Sequence, residues 1–146
     1  MSAHIIKIAL KMTRKEIHMS HGKFATAVNC MDGRSQKTVI EWAEKNLKVD
    51  FVDMVTEPGP DGMILRGDPA DLESIRRRIL VSTTKHGSQA IILAGHTECA
   101  GFPVSKDEHI AAVKKGLEVI RKWNLGPNVK FYGLWIGDNW KAELIP

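Results

Sequence analysis

The chain has 146 residues, of which 43% are hydrophobic and 26% are charged, and its formal net charge is +4. These values are typical of a single globular domain that buries a core of its own, and no apolar run approaches the roughly 20 residues that a membrane-spanning helix needs. The N-terminus has no long apolar segment followed by a small-residue cleavage site, so we expect a cytoplasmic protein without a signal peptide.

The positive charge does not predict a nucleic-acid partner. The densest basic run is Arg76-Arg77-Arg78, and aromatic residues do not alternate with the basic residues as they do in surfaces that bind single strands. A solvated helix face explains the run. We therefore expect neither a nucleic acid nor a membrane among the partners of this chain.

Residues 1–22 are the least regular part of the sequence. Ile6, Ile8 and Leu10 alternate with other residues as in a half-buried strand, while helical spacing through Ile6, Leu10 and Ile17 fits almost as well. We interpret this segment as an extended N-terminal arm that pairs with another subunit, attached to one domain.

The remainder of the chain alternates between strand and helix patterns. The predicted strands cover residues 23–30, 51–55, 89–96, 129–136 and, as a short last strand, 140–145. The first predicted helix is capped by Ser35 and ends near Leu47, and a turn-rich stretch over 57–62 follows the second strand. The second helix is capped by Asp68 and stopped by Gly87, and the third has a Ser105–Glu108 capping box and ends at Gly126-Pro127. This order predicts an α/β fold, in which helices flank a mostly parallel sheet of about four parallel strands and one antiparallel edge strand.

Two cysteines and a histidine follow the predicted first and third strands. Cys30 ends the first strand, His96 ends the third, and Cys99 lies three residues further on. Parallel sheets bind ligands at the carboxyl ends of strands where the winding direction reverses, so these side chains become neighbours if strands one and three flank that reversal. Two thiolates and an imidazole form a ligand set that suits zinc. A disulfide between the cysteines is the alternative, which a reducing compartment disfavours.

The segments around these residues resemble a known family. Cys30-Met31-Asp32-Gly33-Arg34 is similar to the C-x-D-x-R motif of β-class carbonic anhydrases, and Gly95-His96-Thr97-Glu98-Cys99 is similar to their G-H-x-x-C motif. The resemblance covers roughly residues 23–145. It implies zinc bound by the two cysteines and the histidine, and reversible hydration of carbon dioxide to bicarbonate by a metal-bound hydroxide.

The resemblance also implies a catalytic dyad of Asp32 and Arg34. In the family, the aspartate either orients the zinc-bound hydroxide or, in an inactive form, takes the fourth metal position. The arginine pairs with the carboxylate and holds it away from the metal. Because a neighbouring cation favours the ionised carboxylate, Arg34 is expected to keep Asp32 charged.

Two residues and one segment depart from the family pattern near the expected pocket. Gly33 stands where serine is common, Ala100 replaces a glycine, and Glu57–Gly62 replaces a Gly-Asn-x-Ala-Gly segment. Two alternatives to carbonic anhydrase activity therefore stay open: a related zinc hydrolase that acts on carbonyl sulfide or carbon disulfide, and a non-catalytic protein whose zinc has all four positions filled.

The remaining polar and aromatic residues receive simpler interpretations. We interpret Glu98 as a solvated acid, with a proton relay or a hydrogen bond to a metal ligand as alternatives. The histidines without ligand spacing are interpreted as surface residues, and they are His18, His21, His86 and His109. Trp135 and Trp140 flank the last turn, and with the shortened N-terminal elements they predict a homodimer or a higher homo-oligomer.

Overall fold

The structure is a computed structural model, and it describes residues 22–146. Its strands are β1 (Phe24–Cys30), β2 (Phe51–Glu57), β3 (Ala90–His96), β4 (Lys130–Ile136) and β5 (Ala142–Ile145). Its helices are α1 (Gly33–Leu47), α2 (Pro60–Arg66), α3 (Pro69–Lys85) and α4 (Lys106–Arg121). None of these four helices combines the length and the apolar character that a membrane crossing requires. The predicted N-terminal arm, apart from Gly22, lies outside the described residues.

The five strands form one sheet in the order β2-β1-β3-β4-β5. The pairs β1–β2, β1–β3 and β3–β4 are parallel, and β4–β5 is antiparallel, which confirms the predicted sheet. The chain winds from β1 to β2 in one direction and then returns past β1 to β3. The winding direction therefore reverses between β1 and β3, and their carboxyl ends flank a crevice.

Helices cover both faces of the sheet. On one face, Val39 and Ala43 of α1 pack against Ala27 of β1 and Ile92 of β3. On the other face, the three remaining helices pack against β1, β2 and β3 through a larger cluster, whose buried members include Val28, Val55, Ile64, Ile75, Ile79, Leu93, Val113 and Leu117. Because β1 and β3 are buried on both faces, their sequences are apolar runs without strict alternation.

Two of the predicted helix caps are confirmed and one is wrong. The Asp68 side chain accepts hydrogen bonds from the first turn of α3, and Ser105 and Glu108 form the reciprocal capping box of α4. Helix α1, however, begins at Gly33, with Asp32 as its N-cap instead of Ser35. The Asp32 carboxylate accepts the backbone N–H of Arg34 at 2.9 Å, and an aspartate in this role starts a helix as well as a serine does.

The stretch predicted as a turn after β2 contains the start of a helix. Gly59, with φ of +61°, precedes Pro60 at the first position of α2, and Gly67, with φ of +73°, ends the helix. Proline at the first helical position and glycine beyond the last are favourable in a helix. The same residues indicate turns in the sequence, so the seven-residue helix between them was missed.

Candidate metal centre

The structure brings the three predicted metal ligands together in the crevice between β1 and β3. Cys30 ends β1, His96 ends β3, and Cys99 lies in the loop that follows. All three side chains are buried, and their ligand atoms lie within 4.8 Å of one another. Within residues 22–146, no other group of three or more His, Cys, Asp or Glu side chains meets in this way.

The two sulfur atoms have the separation that a zinc ion requires. They lie 3.9 Å apart, and two Zn–S bonds of about 2.3 Å in tetrahedral geometry place their sulfurs about 3.8 Å apart. Both cysteines are free thiols, so the disulfide considered from the sequence is not formed.

His96 presents one ring nitrogen to the same site. Its Nδ1 lies 2.6 Å from the backbone carbonyl oxygen of Thr97, and because a carbonyl only accepts, Nδ1 carries the proton and donates it. The lone pair of a neutral ring is then on Nε2, which is buried without a hydrogen-bond partner among the described residues. A metal ion would satisfy this orphaned atom, since ligating histidines normally fix their tautomer through the other nitrogen. The three side chains therefore fit zinc.

The thiols are electrostatically coupled. A hydrogen bond from Cys99 lowers the pKa of Cys30 against the effect of burial, and His96 lowers it further. The same hydrogen bond, together with burial, raises the pKa of Cys99. Burial by itself would lower the pKa of His96, but the negative charge of the Cys30 thiolate and the hydrogen bond to the Thr97 carbonyl raise it overall. Without a metal, negative charge therefore concentrates on Cys30, and a divalent cation would draw both sulfurs into the thiolate form.

Asp32 and Arg34 form a bidentate ion pair at the rim of this site. Arg34 Nη2 donates to Asp32 Oδ2 at 2.8 Å, and Arg34 Nε donates to Asp32 Oδ1 at 3.1 Å. The side-chain hydrogen bonds from Arg34 lower the pKa of Asp32 to about 2. Asp32 is therefore an ionised carboxylate whose two oxygens both bind Arg34, and it does not belong to the three-residue ligand group.

Arg34 has two further partners. Its Nη1 donates to Glu98 Oε2 at 2.8 Å, and its guanidinium carbon lies 4.4 Å from the centroid of the Trp140 ring. Glu98, interpreted from the sequence as a solvated acid, is indeed 70% exposed, but it pairs with the dyad. The guanidinium is thus held by α1, by the loop after β3 and by the turn before β5.

A buried hydrogen-bonded pair of an acid and a histidine, close to the metal centre, was missed in the sequence. His109 of α4, predicted to be a surface residue, is 1% exposed, and its Nδ1 donates to Oδ2 of the equally buried Asp61 at 2.5 Å. His109 precedes Val113 and Leu117 at helical spacing, and this position in the apolar stripe of α4 was the available signal. His86 is 42% exposed, as predicted, and pairs with Asp53. His18 and His21 lie outside the described residues.

Two solved structures with the same fold are β-carbonic anhydrases. Isoform I from Trichomonas vaginalis superposes with a TM-score of 0.57 at 20% identity, covering 99% of this chain and 98% of that chain. The enzyme CafA of Aspergillus fumigatus superposes with a TM-score of 0.56 at 15% identity, covering 97% and 87% of the respective chains. At these identities the likeness shows the fold alone.

Sequence comparisons give the family assignment. A search of functionally curated proteins finds no match. The model of a family described as putative carbonic anhydrase matches residues 20–146, which is nearly the whole chain and includes both motifs. The resemblance found from Cys30–Arg34 and Gly95–Cys99 is therefore confirmed, and the chain belongs to this carbonic anhydrase-like family.

Proposed function

We propose that the protein catalyses the reversible hydration of carbon dioxide to bicarbonate, with zinc bound by Cys30, His96 and Cys99. The observation that supports this most directly is the number of ligands. Among residues 22–146 three side chains converge, and catalytic zinc sites use three protein ligands, whereas structural sites normally use four. An ionised Asp32 held by Arg34 next to the ligands supports a catalytic site over a closed one.

The chain's own residues supply charge and orientation for this reaction. Zinc, when bound, lowers the pKa of a coordinated water to about 7 and so provides a nucleophile near neutral pH. Asp32 remains ionised, because Arg34 holds its pKa at about 2, and an ionised carboxylate accepts a hydrogen bond that orients the nucleophile. Arg34 keeps both carboxylate oxygens in a fixed plane, which the point charge of a lysine does not do.

Glu98 and Trp140 hold the guanidinium in place before substrate enters. Arg34 uses one edge for Asp32 and its remaining Nη1 for Glu98, while its flat face lies over the Trp140 ring. A guanidinium with partners on two edges and one face loses little further freedom during the reaction. This arrangement is the preorganisation that electrostatic catalysis requires.

One zinc-loaded sample tests the proposal against its alternatives. Carbon dioxide hydration and carbonyl sulfide hydrolysis are measured on the same preparation, with its zinc content known. Carbon dioxide hydration that disappears in Cys99→Ser supports the proposal. Turnover of carbonyl sulfide alone would assign the related hydrolase activity, and a zinc-loaded protein inactive on both substrates would assign a non-catalytic role.

We also propose a homodimer or a higher homo-oligomer that functions in the cytoplasm. Large apolar side chains are exposed at both edges of the sheet and beside the metal centre, with Phe51 at 54%, Leu144 at 55% and Met31 at 64%. A second copy that covers Met31 would also line the crevice next to Cys30 and Asp32. Free thiols that serve as metal ligands suit a reducing compartment.

A further inference from the structure

Two loops on either side of the metal centre contact each other through their backbones. We refer to the contact of Pro58–Gly62 with Gly101 and Phe102 as the interloop contact. A Cβ atom at Gly59 would lie 2.9 Å from the carbonyl carbon of Gly101, and one at Gly101 would lie 2.5 Å from the carbonyl oxygen of Pro58. The space that a side chain would need at Gly62 is filled by the Phe102 ring, 2.5 Å from such a Cβ. These positions leave no room for a larger residue.

Each of the two loops also reaches one of the sulfur atoms. The backbone N–H of Gly59 donates to Cys30 Sγ at 3.5 Å. Cys99, the other metal-binding cysteine, lies on the second loop two residues before Gly101. The interloop contact therefore joins the loop whose amide donates to Cys30 to the loop that carries Cys99.

The buried pair of Asp61 and His109 lies directly behind this contact. Asp61 belongs to the first turn of α2, which continues the loop that carries Gly59. His109 belongs to α4, and its ring meets the Phe102 ring edge-on with centroids 5.0 Å apart. Asp61 and His109 occupy the space next to Gly95 that a side chain would need, because a Cβ there would lie 3.0 Å from Asp61 Oδ2 and 3.2 Å from His109 Nδ1. Asp61 is thus part of the segment that carries Gly59, and His109 contacts Phe102 on the other loop.

One atom of this pair is unsatisfied. His109 Nε2 is buried and has no hydrogen-bond partner among the described residues, and a buried polar atom without a partner is unfavourable. Replacing a buried ion pair by apolar residues of similar volume is often neutral or stabilising. We therefore expect the protein to fold when both Asp61 and His109 are replaced by leucine.

We propose that Asp61 and His109 are positioning residues for the metal centre, which hold the interloop contact so that the Gly59 amide donates to Cys30 and the loop that carries Cys99 keeps its place beside it. The inference rests on the proposed zinc site. Hydrogen bonds to a ligating sulfur withdraw electron density from it, and outer partners of this kind commonly change metal affinity by about 10- to 100-fold. Asp61 and His109 would therefore tune the metal without touching it.

The test compares two buried polar pairs in the full chain. The double variant Asp61→Leu with His109→Leu removes the proposed positioning pair. The control, Thr26→Val with Ser82→Ala, removes a buried pair of hydroxyl groups whose oxygens lie 2.6 Å apart. Thr26 lies in β1, four residues before Cys30, and Ser82 lies in α3. His109→Asn is the conservative variant, because its amide N–H can replace the Nδ1 donor to Asp61. Zinc affinity is measured by chelator competition, and the sulfur-to-metal charge-transfer band is recorded with Co²⁺ in place of zinc.

We expect the Leu–Leu variant to fold, to bind zinc about 10- to 100-fold more weakly and to shift the Co²⁺ band to longer wavelength, because the Cys30 sulfur without its Gly59 donor gives up electrons more easily. His109→Asn should lie closer to wild type, and the control should match wild type in both measurements. Wild-type affinity and an unshifted band in the folded Leu–Leu variant would overturn the inference, as would an equal change in the control.

A substitute variant keeps the inference testable if the Leu–Leu variant does not fold. Phe102→Leu removes the ring that meets His109 and leaves the hydrogen bond between Asp61 and His109 intact. A shifted Co²⁺ band in this variant supports the inference, and an unshifted band overturns it. Failure of wild type to bind zinc would instead refute the proposed function, so the two failures are distinguishable.

Discussion

Arg34 Nη1 lies 2.8 Å from Glu98 Oε2, so the guanidinium that binds Asp32 also carries a second carboxylate. The two carboxylates differ in exposure, with 19% for the Asp32 side chain and 70% for that of Glu98. Exposed ion pairs contribute only about 0–1 kcal/mol, because solvent screens them. The Asp32 side of Arg34 is therefore the stronger attachment, and Glu98 is an auxiliary one.

Substitution of Glu98 should have a small effect. We expect Glu98→Ala to reduce kcat/KM by no more than about fivefold, the equivalent of about 1 kcal/mol, since Asp32 and Trp140 still hold Arg34. Asp32→Asn in the same assay should reduce turnover by orders of magnitude while the protein keeps its zinc. Equal losses in the two variants would show that Glu98 acts on the substrate itself.

Arginine at position 34 should not be replaceable by lysine. Lysine keeps the charge but cannot bind both Asp32 oxygens, reach Glu98 and lie flat on Trp140 at the same time. We expect Arg34→Lys to retain zinc and to lose at least about 10-fold in kcat/KM, the scale of a lost preorganised contact. Lys37→Ala, on the exposed side of α1, serves as a control for charge. Full activity of Arg34→Lys would show that charge alone suffices.

Removal of any one metal ligand should remove most of the zinc. Wild type should carry close to one zinc per chain by elemental analysis, and Cys30→Ser, His96→Ala and Cys99→Ser should each retain only a small fraction. The core clusters on both sheet faces do not involve these residues, so we expect a lower melting temperature and a retained fold. His86→Ala, at a surface histidine, should keep its zinc. Full retention in Cys30→Ser would contradict the three-ligand site.

The titration of Asp32 should move when Arg34 is removed. Its pKa of about 2 lies below the ordinary value of 3.8, so the stabilisation that it provides is complete above about pH 4 and is lost as the pH falls towards 2. In Arg34→Ala, the pKa should return towards about 3.9, as measured by NMR of the carboxyl carbon in metal-free protein. An unchanged pKa would show that another group stabilises the carboxylate. A change in activity between pH 6.5 and 9 cannot come from Asp32.

Self-association should be detectable in solution. The exposed side chains of Phe51, Met31 and Leu144 form apolar surface that a second copy would cover. We expect sedimentation at micromolar concentration to give a dimer or a multiple of it, and Met31→Lys to weaken association. A single species at the monomer mass of 16.3 kDa would rule out the proposed assembly.

The sequence reveals the parts of this molecule that depend on local pattern. Apolar runs locate β1 and β3, and both end in ligand-forming residues. The sequence predicts that Cys30 and His96 meet only if these two strands are neighbours, and the strand order of the sheet supplies that condition. The Ser105–Glu108 capping box is equally local, and it predicts the start of α4 correctly.

Features that depend on tertiary contacts are not visible in the sequence. Asp61 follows Gly59-Pro60, which reads as a turn, and only the packing of α2 against α4 makes it a buried acid. Its partner lies 48 positions away, and no spacing rule links the two. The partners of Arg34 are hidden for the same reason, since Glu98 and Trp140 approach it from separate segments.

Asp32 has two structural roles: it is the ion-pair partner of Arg34 and the N-cap of α1. If the Asp32 carboxylate moved to the metal, it would no longer accept the Arg34 N–H in the first turn of α1. Loss of such an N-cap typically costs about 1 kcal/mol. By that contribution alone, the helix would disfavour a metal site with Asp32 as its fourth ligand by about fivefold. The amide proton of Arg34 therefore reports the state of the site, because it exchanges with solvent more rapidly whenever Asp32 releases it.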